Sequence, residues 1–416
     1  MLEYMMLIIA FVGLYLSIIW INLLFLGKDE IEEKKSIDKS YRPTITFAIP
    51  AYNEEKTIAG TIQSILDIDY PKGKYEIIVV DDGSTDNTAK IAKQYEKDGV
   101  KVIKTKNHGK GHALNIALKR SKKELFTCVD ADSYIEKESV KIIVQNFRNK
   151  KVSGCSSSIF VKNNNKIIEK MQVFEYMYAA IFRKLFAFIG CLFVTPGVLS
   201  IYRTEDLKEA GMFEEDRNNI TEDLEIAMRL QSLHKCIAFD IQSITYTTIP
   251  DTLKKVIRQR IRWFRGYIYN ARKYRHMHLN KDYELLGLFI LPLNIASVII
   301  IISSTIIIWS GILDGFKYIY QKAIIAKTPL YEFIDILSLK QIILTIDFKI
   351  SIPLTIITLA GLYLLYKSHK ITGKSIDISA KSIMAFVLFL VIYPWLLALC
   401  WTYSLILEAK GSKREW

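Results

Sequence analysis

Long uncharged runs and a stretch of alternating short apolar and polar patterns divide this chain into two kinds of sequence. From Met5 to Leu26 it reads MMLIIAFVGLYLSIIWINLLFL, 22 residues without a charge. At about 1.5 Å per residue that run covers a hydrocarbon core of about 30 Å. Three further runs, 285–309, 350–366 and 383–407, are also uncharged, which predicts four spans: an N-terminal anchor over 1–27 and three more toward the C-terminus. The first run has no positive residue before it and no small-residue cleavage site after it, so it reads as an anchor and not a signal peptide. Lys28, Lys34, Lys35, Lys39 and Arg42 follow it closely, which places the next segment in the cytoplasm by the positive-inside rule. Four lysines between Lys367 and Lys381 put that connection on the same side. Residues 311–349 carry five lysines but also the apolar stretch Ile342 to Ile346. A re-entrant piece there would change the side on which the tail KGSKREW emerges.

Residues 42–280 alternate strand-like and helix-like patterns, as one α/β domain does. Strands are expected at Thr44–Ile49, Tyr75–Val80, Val100–Thr105 and Leu125–Val129, with shorter runs near Val152 and Ser200. Helices fill the gaps after Asn53, Asp86, Gly109 and Glu136. Short apolar strands between helices predict a mostly parallel sheet, which binds ligands beyond its strand C-termini. Two longer helical patterns, about 166–189 and 251–275, suit a membrane interface. The first has Ile167, Met171, Phe174, Tyr178, Ile181, Leu185 and Phe188 at helical spacing, which core packing explains equally well. In the second, Leu253, Ile257, Ile261, Phe264 and Ile268 share one face, rimmed by Lys254, Lys255, Arg258 and Arg265. Gln259, Arg262, Trp263 and Gly266 gather on the other.

With half of its 416 residues apolar, the chain is too hydrophobic for whole-chain disorder. Its formal charge of +13 suits anionic lipid, a phosphate-bearing substrate or nucleic acid. Nucleic acid is excluded as a partner because the basic residues flank membrane segments and form no recognised module. Five scattered cysteines without a CxxC pair read as buried thiols, neither a zinc cage nor a disulfide framework.

Carboxylates stand where strands end. IIVVDDGSTDNT leaves a strand at Asp82, and a simple Asp-Gly turn accounts for it as well. ELFTCV exits into Asp130-Ala131-Asp132, and the side-chain period of two points both carboxylates to one side. Two hard oxygen ligands beside a diphosphate suit Mg²⁺ or Mn²⁺. The basic stretch NHGKGHALN lies between these motifs. Thr221-Glu222-Asp223 opens an amphipathic helix, where a capping turn would also favour acids.

Taken together, PAYNEE (Pro50–Glu55), VVDDGSTD, HGKGHALN, DADS, TPGVLSIYR, TEDLE and QRIRW resemble the membrane-embedded family 2 glycosyltransferases, among them poly-N-acetylglucosamine, hyaluronan, chitin-oligosaccharide and cellulose synthases. The resemblance runs from about Pro43 to Tyr274, with the flanking spans. It implies a GT-A fold held between α-helical transmembrane segments, and inverting transfer from a UDP-sugar. It also implies that Tyr52 and Lys110 bracket the uracil, Glu54 and Asp82 hold the uridine, and Asp130 with Asp132 bind the diphosphate and metal. Asp223, beside Glu222, takes the place of the general base. Gln259, Arg262 and Trp263 face the pocket, where Arg262 pairs with diphosphate and Trp263 stacks on an acceptor sugar; a basic interfacial helix is the plainer alternative. Gly197 and Arg203 resemble the acceptor-side loop. TEDLE and QRIRW are closer to poly-N-acetylglucosamine synthases, yet the single N-terminal span departs from them, since a pair is usual.

The expectation is a multi-pass cell-membrane enzyme with a cytoplasmic catalytic domain. It extends a β-linked polysaccharide, of N-acetylglucosamine in the first instance, and passes it outward. The rival within the class is single transfer to a membrane lipid, giving a glycolipid. A transporter or pore subunit is the reading from another class, and the intact set of acids speaks against it. Four spans are few for a sugar tunnel, so export calls for membrane lipid, an accessory membrane protein or a homo-oligomer.

Overall fold

The computed structural model describes residues 2–32, 36–326, 347–373 and 377–414. Its centre is one sheet of eight strands: β1 (Ile45–Ala51), β2 (Tyr75–Asp81), β3 (Val100–Lys104), β4 (Leu125–Cys128), β5 (Ser133–Ile135), β6 (Val152–Val161), β7 (Ser200–Arg203) and β8 (Cys236–Thr247). They lie in the order β3-β2-β1-β4-β7-β6-β8-β5. Strands β1 and β2 read as nearly unbroken apolar runs because both faces of the sheet are covered. Phe47, Ile49, Ile77 and Val79 pack on one side with Ile58, Ile62 and Ile65 of α3 (Ile58–Leu66). Ala48, Ile78 and Val80 pack on the other with Ala113, Leu114 and Ala117 of α5 (Lys110–Arg120).

β1 to β4 pair in parallel, as expected, and β6 pairs with β8 in parallel, but β7 runs antiparallel to both β4 and β6, and β5 to β8. The sheet is therefore mixed in its second half. β8 and β5 escape sequence reading for a physical reason. Buried Asp240 interrupts the apolar pattern of β8, where its carboxylate accepts the amides of Gln242 and Ser243 and the register with β6 shifts.

The remaining helices are α1 (Leu2–Leu26), α2 (Lys28–Glu32), α4 (Thr88–Lys93), α6 (Ser139–Ile143), α7 (Ile167–Phe188), α8 (Thr204–Glu209), α9 (Glu222–Ser232), α10 (Leu253–Lys273), α11 (Leu291–Ala326), α12 (Phe348–Thr372), α13 (Ala380–Val391) and α14 (Tyr393–Ala409). Helices α7 and α10 fall on the two long helical patterns. Among the described residues three helices are long and apolar enough to cross a membrane, over Tyr4–Leu26, Leu286–Ile325 and Phe348–Thr372. The first C-terminal run does not stop at Trp309, because its helix continues to Ala326. The stretch Ile342 to Ile346 lies outside the described residues.

The run 383–407 is two helices, α13 and α14, bent by 46°. The pair is tied to the α/β domain at three points. Lys170 of α7 pairs with Asp377 at 2.5 Å and donates to Ser382 at 3.0 Å. At the bend, the Tyr393 hydroxyl donates to Glu175 of α7 at 2.7 Å and accepts from Arg260 of α10 at 3.0 Å. At the far end, Arg265 Nε lies 2.8 Å from Glu408. α10 accordingly departs from its expected surroundings: Arg265, read as a rim cation, is buried against Glu408, and Phe264 stacks on Trp401 with ring centroids 4.0 Å apart. Four cysteines are buried as expected, whereas Cys236 is exposed at the start of β8.

Candidate active site

β1, β2 and β4 end side by side. Ala51 stands opposite Asp81, and Asp82 donates its amide to the Ala51 carbonyl at 2.8 Å. The residues after these strands therefore meet at one edge of the sheet. Against that edge, α7, α9, α10 and α14 enclose a cavity of about 400 Å³. Lys110, Asp130, Asp132, Gly197, Glu222, Asp223, Gln259, Arg262 and Trp263 all line it.

Lys110 opens α5 and reaches across to Asp130 at 2.6 Å and to Glu222 at 2.5 Å. It was expected beside Tyr52 around a base; opposite charge draws it to the carboxylates here. Burial disfavours the ammonium, yet Asp130 and Glu222 outweigh that and hold its pKa well above the usual lysine value. Asp130 donates its amide to the Gly197 carbonyl at 2.9 Å. A Cβ at Gly197 would lie 2.7 Å from both Asp130 Oδ1 and Lys110 Nζ, so a side chain here would displace this ion pair.

Asp223 sits in the first turn of α9, its carboxylate accepting the Leu224 amide at 2.8 Å. Burial, with Glu222 and Asp130 nearby, pushes its pKa up to about 6, against the opposing pull of Lys110. Burial, with Asp130 and Glu54 beside it, likewise pushes Asp132 up to about 7. Among the described residues no three His, Cys, Asp or Glu side chains form a complete metal cage. The donor set nevertheless fits a partial site. Crowded carboxylates that resist ionisation are what a cation relieves, and Mg²⁺ commonly takes one or two carboxylates with the rest of its shell from phosphate and water.

Tyr52, Glu54 and Asp82 lie at the same strand edge but outside the cavity wall. Tyr52 is 47% exposed. Both oxygens of Asp82 are engaged, by the amides of His108 and Gly109 at 3.0 and 2.7 Å, so Asp82 shapes the loop that starts α5. Glu54 accepts from Thr57 at 2.7 Å, and burial, followed by Asp130, raises its pKa. Arg203 is placed elsewhere. It stands opposite Leu125, at the start of β4 and hence the far end from Asp130, and donates to the carbonyls of Val152 and Phe147 at 2.8 and 2.7 Å. Those orphan carbonyls, not an acceptor, hold its guanidinium.

Trp263 has the Arg260 guanidinium 4.2 Å from its ring centroid. Arg260 is fully buried, pairs with Glu175 and donates to Gln259 at 2.5 Å, so Gln259 and Trp263 are both fixed through it. α10 approaches α9 closely through Gly266, where a Cβ would lie 2.3 Å from Thr221 Oγ1. Sequence reasoning missed Glu175, Tyr176 and Arg183, which α7 contributes to the same wall. Glu175 and Arg183 stand two turns apart, at i and i+8, and two charges beside the apolar stripe could have revealed them. Tyr267 was also missed as a lining residue.

A mixed sheet with acids at its strand exits, flanked by helices long and apolar enough to cross a membrane, defines a GT-A transferase domain. Residues 46–211 match the family described as Glycosyl transferase family 2, and the chain thus carries a family 2 glycosyltransferase domain. It is 28% identical over 276 residues to a poly-β-1,6-N-acetyl-D-glucosamine synthase of Staphylococcus epidermidis. It is 27% identical over 268 residues to the synthase of that description from Staphylococcus aureus (strain COL). Each match covers 62% of this chain and 64% of the relative, so the similarity spans less than two thirds of those proteins. The mannosyltransferase PcManGT from Pyrobaculum calidifontis, solved with GDP-Man and Mn²⁺, superposes with a TM-score of 0.58 over 93% of this chain and 99% of that one. At 18% identity the likeness is one of fold.

Proposed function

We propose that this chain is an inverting glycosyltransferase that moves a sugar from a UDP-sugar to the growing end of a β-linked polysaccharide at the cytoplasmic face of a membrane. The observation that carries the reading is the convergence of Asp130, Asp132, Asp223 and Trp263 on one cavity from three distant stretches. N-acetylglucosamine is the first sugar to test, because the relatives are named for it.

The acceptor hydroxyl attacks the anomeric carbon while Asp223 takes its proton. The bond from that carbon to the diphosphate breaks, and UDP leaves with the electron pair. A carboxylate with a pKa of about 6 is ionised near neutral pH yet basic enough to share a proton in the transition state. Lys110 and Arg262 offset charge on the diphosphate, and Trp263 supports the acceptor ring. When bound, Mg²⁺ or Mn²⁺ would be held by Asp132 and Asp130 and would neutralise leaving-group charge.

The tethering of α13 and α14 to α7 and α10 supports three crossings, by α1, α11 and α12, with the bent pair staying on the catalytic side. This differs from a simple four-span count. Passage of the polymer outward would then involve lipid, an accessory protein or a second copy of the chain.

The decisive test incubates membranes containing the chain with a panel of UDP-sugars and Mg²⁺ or Mn²⁺, followed by product sizing and linkage analysis. Long β-linked chains are expected. One or two sugars on an extractable lipid would establish the glycolipid reading instead, and no transfer from any donor would overturn both.

A further inference from the structure

Helix α7 presents two donors to the cavity that no other part of the described chain uses. Tyr176 and Arg183 stand two turns apart, share a face and both line the wall. Neither makes a hydrogen bond or ion pair among the described residues. Other cations of this region are held: Lys110 by Asp130 and Glu222, and Arg260 by Glu175.

An arginine placed in this way costs stability. Burial lowers its pKa, and Tyr176, Asp223 and Glu175 offset that only in part. Burial also pushes Tyr176 up to about 12, so near neutral pH this phenol is an uncharged donor and compensates nothing. Glu175 is already engaged by Arg260 and by the Tyr393 hydroxyl, and Asp223 accepts the Leu224 amide. Packing does not call for a guanidinium here, since methionine fills similar space with no charge to desolvate. An arginine anchoring α7 at a membrane interface would extend its head to water or lipid phosphate, whereas this one lines the catalytic cavity. Its N–H groups therefore call for oxygen atoms brought by a ligand. The acids whose charges reach Arg183 are Asp223 and Glu175, not Asp130 or Asp132 at the diphosphate end. That sets it beside the base, where the attacking sugar must lie.

We propose that Arg183, with Tyr176 on the same wall, is a substrate-contacting residue that donates hydrogen bonds to oxygens of the acceptor and so aims the attacking hydroxyl at Asp223. The proposal rests on the glycosyltransferase reading and deepens it: through Arg183, α7 recognises the acceptor and not the nucleotide.

The test uses the full-length protein in detergent or nanodiscs. Acceptor KM is measured with β-1,4- and β-1,6-linked disaccharides of N-acetylglucosamine and of glucose at saturating donor. Binding of the same disaccharides is followed by saturation-transfer NMR, and UDP affinity by calorimetry. Arg183→Met should raise acceptor KM about tenfold or more and weaken disaccharide binding to match, with UDP affinity within about twofold of wild type. Arg183→Lys, which keeps the charge and loses the planar fork, should recover part of the loss, and Tyr176→Phe should show a smaller one. Because a poorly compensated buried charge is removed, Arg183→Met should melt at or above the wild-type temperature. A structural arginine would do the reverse, lowering the melting temperature and impairing donor and acceptor together. That pattern, an unchanged acceptor KM in Arg183→Met, or disaccharide binding by wild type in no case would overturn the assignment. Disaccharide binding that depends on Arg183, without turnover of any UDP-sugar, would overturn the transferase reading while leaving the contact standing.

Discussion

Lys110 Nζ lies 2.5 Å from Glu222 Oε1, which joins the first turn of α5 to the first residue of α9 and sets an ammonium among several carboxylates. The same ammonium holds Asp130 and lowers the pKa of Asp223 against the burial that raises it. Replacing it with an apolar group leaves acids facing one another across the cavity. Lys110→Met should therefore weaken UDP-sugar binding and move the rising limb of the pH–rate profile up by about one pH unit or more. A limb at its original pH would remove Lys110 from the electrostatics of Asp223.

Asp223 must be ionised to accept a proton, and its pKa is raised to about 6. The rate should consequently climb as pH rises through about 6 and flatten above it, since the inactive form is the protonated one. Asp223→Asn should lose roughly 10²–10⁴-fold in transfer while binding UDP with little change, measured by calorimetry. Undiminished turnover would exclude Asp223 as the base.

Gly266 is where α10 meets the turn that carries Glu222 and Asp223. An added methyl would lie 2.3 and 2.4 Å from Thr221 Oγ1 and Cγ2. Glycine to alanine ordinarily favours a helix; here overpacking should cost about 1–3 kcal/mol. Gly266→Ala should lower both the melting temperature and kcat. Wild-type values for both would show that the two helices separate without consequence.

Sidedness gives a further prediction. Ser379 lies just ahead of α13 and Ser412 just beyond α14, and both flank contacts with the α/β domain. In a background where exposed Cys236 is replaced by serine, Ser379→Cys and Ser412→Cys should be labelled by an impermeant thiol reagent from the same side, and only when the catalytic face is accessible. Labelling from opposite sides would make α13 and α14 a true span.

Much of this architecture was legible in the chain itself. Apolar runs located β1 to β4 and the membrane helices, and the two long patterns located α7 and α10. The acids at Asp130, Asp132 and Asp223 and the Gln259-Arg262-Trp263 set were visible as motifs. Arg203 misled, because a local likeness to a loop says nothing about which end of a strand a side chain occupies. Lys110 was found without its partners, because Asp130 after β4 and Glu222 of α9 are far from it in the chain.

Sequence by itself determined what is local: strand and helix periodicity, the lengths that can cross a bilayer, and the order of the acidic turns. Only the tertiary structure decided what those elements surround. Pairing of β4 with antiparallel β7 brought Gly197 onto Asp130 and Lys110, and the bend at Tyr393 laid α14 along α10 so that Trp401 entered the cavity wall. The physical reason is that periodicity is fixed by the backbone geometry of each segment. A shared cavity, in contrast, depends on long-range packing and on buried charges finding partners far away in the chain.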